Sequence, residues 1–140
     1  MDTIDMAGHL IRRLHQQATQ VFQARMQAAG RDLTPVQFAA LDAIALQPGI
    51  DQAGLAATIG FDRATIGGVI ERLEHKGLVQ RVVSAHDRRA RELSLTPAGK
   101  RLLAAIRPLV ETLQAEILAP LSRAERSAFL ALAHKALGIG

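Results

Sequence analysis

At 140 residues, 49% of them hydrophobic, the chain is long enough for one domain with its own core, and it is neither disordered nor fibrous. Without cysteine it can form no disulfide, thiol redox sensor or Cys-ligated zinc, and its five histidines show no pair at clear metal spacing, so neither a metal nor any other cofactor is expected. The net charge of +4 is moderate, so where it sits says more than its size.

No apolar run approaches the roughly 18 residues of a membrane span, and the opening residues, with Asp2 and Asp5, lack the basic start of a secretory signal. The expectation is a cytoplasmic protein with no membrane partner. Periodicity predicts a first helix over 6–29, with Leu10, Ile11, Leu14, Ala18, Val21, Phe22 and Met26 on one stripe and Gly30 as its stop. Thr34-Pro35-Val36-Gln37 reads as a capping box with proline at the first helical position. It opens a second helix that runs to about Leu46, with Phe38, Leu41, Ile44 and Ala45 as its apolar face. Gln47-Pro48-Gly49 is a turn, after which Asp51 caps a short third helix carrying Leu55, Ala56 and Ile59. Gly60 ends it.

Gly60-Phe61-Asp62 is a turn of about three residues, and Asp62 caps the next helix, so the pair is a helix-turn-helix. In that second helix Ile66, Val69, Ile70 and Leu73 form the buried face, which leaves Arg63, Ala64, Thr65, Gly68 and Arg72 facing outward. Beyond Gly77, Val79–Val83 and the alternation of Leu93 and Leu95 with Glu92 and Ser94 predict two strands around the tip His86-Asp87-Arg88-Arg89-Ala90-Arg91. Thr96-Pro97 starts a long helix to about Ala119, with a kink expected at Pro108. Ser122-Arg123-Ala124-Glu125 is a second capping box, opening a last helix with Phe129, Leu130, Leu132, Ala133 and Leu137.

The predicted fold class is mainly α with a small β-hairpin wing (α+β): a winged helix-turn-helix over 34–101 inside a single domain, 1–140. The terminal helices, 1–30 and 102–140, carry more apolar surface than one another can cover, which predicts a homodimer built from them. Residues 60–101 hold nine Lys/Arg against five Asp/Glu, while the rest of the chain holds eight of each. The whole net charge therefore lies on the helix-turn-helix and wing, the footprint of a nucleic-acid surface. A two-fold dimer would present two such units to successive major grooves of double-stranded DNA about 34 Å apart and read a palindromic operator.

Individual residues carry competing readings. Arg63 and Thr65, in the first turn of the second helix of the motif, stand where base-reading side chains sit, while the rival for Arg63 is an ion-paired surface residue. Gly67-Gly68 is costly inside a helix; close approach to DNA would explain one glycine and tight helix packing the other. Arg89 on a thin tip can enter a minor groove about 6 Å wide, oriented by Asp87, with Arg88 and Arg91 on phosphates; the alternative is a solvated hairpin. His9, Arg12 and His15 recur every three residues along one flank of the first helix. They read either as an anion clamp beside an apolar ring site to which Phe38 contributes, or as a solvated flank.

Thr34-Pro35-x-Gln37-Phe38, Gly77-Leu78-Val79-x-Arg81 and Asp87-Arg88-Arg89-x-Arg91-x-Leu93-x-Leu95-Thr96-x-x-Gly99 together resemble the MarR family of bacterial transcriptional regulators over nearly the whole chain. The resemblance implies a dimeric winged helix-turn-helix, usually a repressor released by a small ligand. Gly8-His9-Leu10-x-Arg12-Arg13-Leu14 and Asp62-Arg63-x-Thr65-Ile66 are similar to the branch that senses aromatic and heteroaromatic carboxylic acids. There an arginine of the first helix clamps the ligand carboxylate, and the matching position is Arg12. A peroxide-sensing member would need a cysteine near its start, which this chain lacks. The alternative function is a winged-helix module that binds an acidic protein. An enzyme is disfavoured, because there is no cysteine nucleophile, no glycine-rich phosphate loop and no convincing pair of carboxylates.

Overall fold

The computed structural model describes residues 1–83 and 91–140. Among them, after a short 3-10 turn at Thr3–Asp5, come α1 (Ala7–Ala28), α2 (Pro35–Leu46), α3 (Gln52–Ile59) and α4 (Arg63–His75). The hairpin strands β1 (Val79–Val83) and β2 (Arg91–Leu95) follow, then α5 (Pro97–Ile117) and α6 (Arg123–Leu137). The order is that of a winged helix-turn-helix between long terminal helices.

The caps form as the sequence requires. Thr34 Oγ accepts from the Gln37 amide and Gln37 Oε1 accepts from the Thr34 amide, each at 3.2 Å. Asp51 Oδ1 accepts from Gly54 N at 2.7 Å to start α3, and Gly60 ends it in the left-handed region at φ 76°. Ser122 and Glu125 close the reciprocal box of α6, and the Ser122 backbone N–H and hydroxyl hold the Glu125 carboxyl below its ordinary range. A chain that cannot pair its first helical N–H groups within the helix needs these oxygens, so the caps fix where each helix begins.

β1 and β2 pair antiparallel, with Val79 opposite Leu95, Arg81 opposite Leu93 and Val83 opposite Arg91. The turn before α3 joins them: Gly49 N donates to Leu93 O at 3.0 Å, and Leu93 N donates to Ile50 O at 2.8 Å. The wing is thereby stitched to the helix-turn-helix through its backbone, a contact that Gln47-Pro48-Gly49 as a simple turn does not predict.

One core runs from the second half of α1 through α2, α3, α4 and the hairpin to α5, with Met26, Leu41, Ile44, Leu55, Ile66, Ile70, Leu73, Leu93, Ile106 and Leu113 fully buried. Burying each such side chain contributes about 1.5–3 kcal/mol, so the core outweighs the ion pairs that cross it. Arg25 with Glu116 ties α1 to α5, and Arg107 with Asp42 ties α5 to α2; partly exposed as they are, these pairs set register more than stability. α5 runs as one helix through Pro108, which removes the bond to the exposed Ala104 carbonyl.

The structure corrects several expectations. Of the α1 stripe only Phe22 and Met26 are buried, and Leu10 and Ile11 stand 48% and 65% exposed, because the first turns of α1 extend past the elements that would cover them. On α2 Ala45 is exposed and Ala40 and Ala43 are buried in its place; the helix is apolar nearly all round, so periodicity could not choose its inner face. α5 ends at Ile117 rather than Ala119, and α6 buries none of its residues although Leu130, Leu132 and Leu137 are apolar.

Candidate nucleic-acid interface

α4 divides as its sequence pattern predicts. Ile66, Val69, Ile70 and Leu73 are buried against α3 and the rest of the core, while Arg63, Ala64, Thr65, Gly68 and Arg72 are all exposed along one outer face. Asp62 is the anchor of that face: its Oδ1 accepts from Thr65 N at 2.8 Å and its Oδ2 from the Thr65 hydroxyl at 2.7 Å. These two bonds, backbone first, hold the Asp62 carboxyl below its ordinary range. They also constrain Thr65. Its hydroxyl proton is committed to Asp62, so toward any partner Thr65 offers an acceptor lone pair and a methyl group, not a donor.

The two glycines have different reasons to be there. A Cβ on Gly67 would meet Gln52 Nε2 at 3.1 Å, whereas a Cβ on Gly68 would find nothing within 4 Å. Gly67 thus makes room for Gln52, which reaches across the motif to donate to the Arg63 carbonyl at 3.2 Å. Gly68 answers to nothing inside the protein, and its open side lies on the outer face.

Asp87, Arg88 and Arg89, the expected minor-groove and phosphate residues of the wing tip, lie outside the described residues. Arg91 at the start of β2 is exposed. It lines a notch of about 300 Å³ with Arg63, Arg81, Leu93 and the Asp51-Gln52-Ala53 start of α3. Arg81, which sequence reasoning does not single out, joins them there. The available signal was strand alternation: Arg81 shares the face of buried Val79, so a guanidinium is aimed to the inner side of the wing.

Behind α2 a second cavity, about 220 Å³, lies between α1, α2 and α5. Phe22 and Phe38 form its aromatic wall, with ring centroids 6.4 Å apart at 50°, and Val110, Leu113 and Ile117 add aliphatic surface. His15, Thr19 and Gln114 supply the polar groups. The structure therefore brings together His15 and Phe38 from the expected ligand site. His9, half-buried, and Arg12, exposed, sit further up α1 and do not line this cavity. A larger groove of about 670 Å³ opens on the other side of His15, between α1, α5 and α6, with Leu14, Phe129 and Leu130 in its walls.

A model of the MarR family matches residues 31–90, from the connection before α2 into the wing. Transcriptional regulator HosA of Escherichia coli is 39% identical over 129 residues, covering 92% of this chain and 93% of HosA. The chain belongs to the MarR family. The transcriptional repressor NicR of Pseudomonas putida is 36% identical over 134 residues, 96% of this chain and 84% of NicR. Among solved structures, BpsR of Bordetella bronchiseptica, whose DNA binding is regulated by 6-hydroxynicotinic acid, superposes with a TM-score of 0.91 at 30% identity, covering 100% of this chain and 99% of that one.

As a MarR-family protein the chain is a DNA-binding transcriptional regulator. Among the described residues no helix is long and apolar enough to cross a membrane, and no group of three or more His, Cys, Asp or Glu is placed to hold a metal ion.

Proposed function

We propose that this MarR-family protein is a homodimeric, cytoplasmic repressor without catalytic activity, released from a palindromic operator by a small aromatic or heteroaromatic carboxylic acid. The carrying observation is the phenylalanine-walled cavity behind α2, whose about 220 Å³ is below the roughly 300–1,000 Å³ of drug-sized sites and suits a single ring. BpsR, which it resembles along its whole length, responds to an acid of this class. His15 and Phe38 contact the ring; Arg12, one turn up the same flank, takes the carboxylate through paired hydrogen bonds, with His9 beside it. The dimer forms through the terminal segments, residues 1–30 and 102–140, whose exposed apolar faces lie on α1 and α6, while 34–101 binds DNA. Arg63 and Thr65 meet base edges in the major groove, flanked by Ala64, Gly68 and Arg72. Arg89, oriented by Asp87, enters the minor groove, and Arg88 and Arg91 meet phosphates.

Release follows if the acid binds more tightly to a dimer whose two α4 helices are wrongly spaced for successive grooves. The likeness to DNA-binding regulators favours this reading over an interaction module for acidic proteins. Titration of labelled DNA from its own upstream region, with and without 6-hydroxynicotinic acid, tests it. Binding that weakens with the acid is expected, and Arg12→Ala should keep binding and lose release. No binding of that DNA at any salt concentration sinks the repressor; loss of both properties in Arg12→Ala makes the arginine structural.

A further inference from the structure

We propose that Arg81 is a backbone-phosphate ligand, seated in the notch between the helix-turn-helix and the wing. Three observations converge on it. The hairpin register puts Arg81 opposite Leu93 and Arg91 two residues from Leu93 on the same strand, so both guanidiniums flank one buried leucine on the inner face of the wing. That face meets Arg63 at the start of α4 and the start of α3, so three arginines line the notch, with the Asp51 carboxylate among them and Glu74 paired to Arg81 from α4. Asp51 is already occupied as the α3 cap.

Arg81 is also held in place. Its Nε donates to Glu74 Oε1 on α4 at 2.8 Å, which uses one of the five guanidinium donors and fixes the plane of the rest. Glu74 is thus a positioning residue: it belongs to α4 and orients a cation of the wing.

The ligand class follows from topology and rests on the proposed reading in which α4 enters a major groove and the wing enters a minor groove. Two adjacent grooves are separated by one sugar-phosphate strand, so a strand of phosphodiesters must pass along the seam between α4 and the hairpin. Arg81 lies in that seam, exposed on the inner face of the hairpin and not on the outer face of α4 proposed to meet the base edges. A cation there meets phosphate and carries no sequence information.

The test is binding of the upstream operator duplex and a scrambled duplex of equal length, across a salt series, to the full-length protein and to Arg81→Gln and Arg81→Lys. Arg81→Gln should weaken both duplexes by the same factor, on the order of fivefold at about 0.15 M salt, and reduce the slope of log affinity against log salt by about one. Arg81→Lys should restore the slope, because a phosphate needs charge more than the planar fork. Unchanged affinity and slope in Arg81→Gln, or a loss confined to the operator, overturns the assignment. Failure of the unaltered protein to bind either duplex would instead overturn the DNA-binding reading on which it rests.

Discussion

The backbone of Gly99 packs against the carbonyl of Leu78 so closely that a Cβ on Gly99 would lie 2.1 Å from the Leu78 oxygen. Around this contact the Thr96 hydroxyl donates to the Gly77 carbonyl at 2.6 Å and accepts from Gly99 N at 3.0 Å, while Thr96 N donates to Leu78 O at 3.0 Å. The start of α5 is thereby locked to the turn that ends α4 and begins the wing. Leu95-Thr96-x-x-Gly99 is a joint between the helix-turn-helix with its hairpin and the long helix α5. Gly99→Ala forces backbone apart, and the expected cost is about 1–3 kcal/mol, the range for overpacking. It should appear as a lower urea midpoint with unchanged slope; a midpoint equal to that of the unaltered protein would show that the joint relaxes freely.

Gly68→Ala should behave in the opposite way. The added methyl meets nothing within 4 Å, and alanine is favoured over glycine inside a helix by roughly 1 kcal/mol, so the protein becomes more stable. The same methyl stands on the face proposed to enter the groove, so operator affinity should fall. Urea unfolding and DNA titration of this one variant report the two effects separately. Higher stability with undiminished affinity would remove Gly68 from the DNA surface.

A pH series on Asp62 tests the anchor of α4. Its carboxyl is held below the ordinary value by the Thr65 N–H and hydroxyl, so the charged form is favoured in the folded chain. The sign follows by linkage: the contribution is present above the unfolded value of about 3.9 and is lost as pH falls through the lower folded value. Asp62→Asn keeps an acceptor for the amide but loses the charge. Its stability deficit should be constant near neutrality and shrink in acid, below about pH 3.9. A deficit that stays the same throughout the acid range would mean that the ionised form contributes nothing.

The apolar face of α6 predicts association. Leu130 is 53% exposed and lines the groove between α1, α5 and α6. A charge there cannot be desolvated within a dimer face at tolerable cost, so Leu130→Glu should sediment as a monomer and lose affinity for a palindromic site more than for one half-site. A monomeric unaltered protein at micromolar concentration would argue against the terminal helices as the interface.

Local chemistry was legible in the sequence wherever it is decided within a few residues. Thr34 with Gln37, Asp51, Asp62, Thr96 and Ser122 with Glu125 mark the helix starts because each cap closes over a span of three residues. The inner and outer faces of α4 follow from helical spacing, so Arg63, Ala64, Thr65, Gly68 and Arg72 were placed outward from the pattern alone. Charge location and wing motif, too, are properties of the chain as written.

What the sequence left open depends on partners distant along the chain. Which of two adjacent glycines makes room for packing was settled by Gln52 on another helix, and the need for Gly99 by a carbonyl twenty-one residues earlier. Periodicity could not choose the inner face of α2, nor reveal that Leu10 and Ile11 stay largely exposed, because an apolar stripe states a need for burial but not what supplies it. Arg81 joins Arg63 and Arg91 only through strand register and the packing of the wing on α3. Spacing determines faces; tertiary structure alone decides which faces meet, because each of those contacts is fixed by the mutual exclusion of atoms that the sequence does not order.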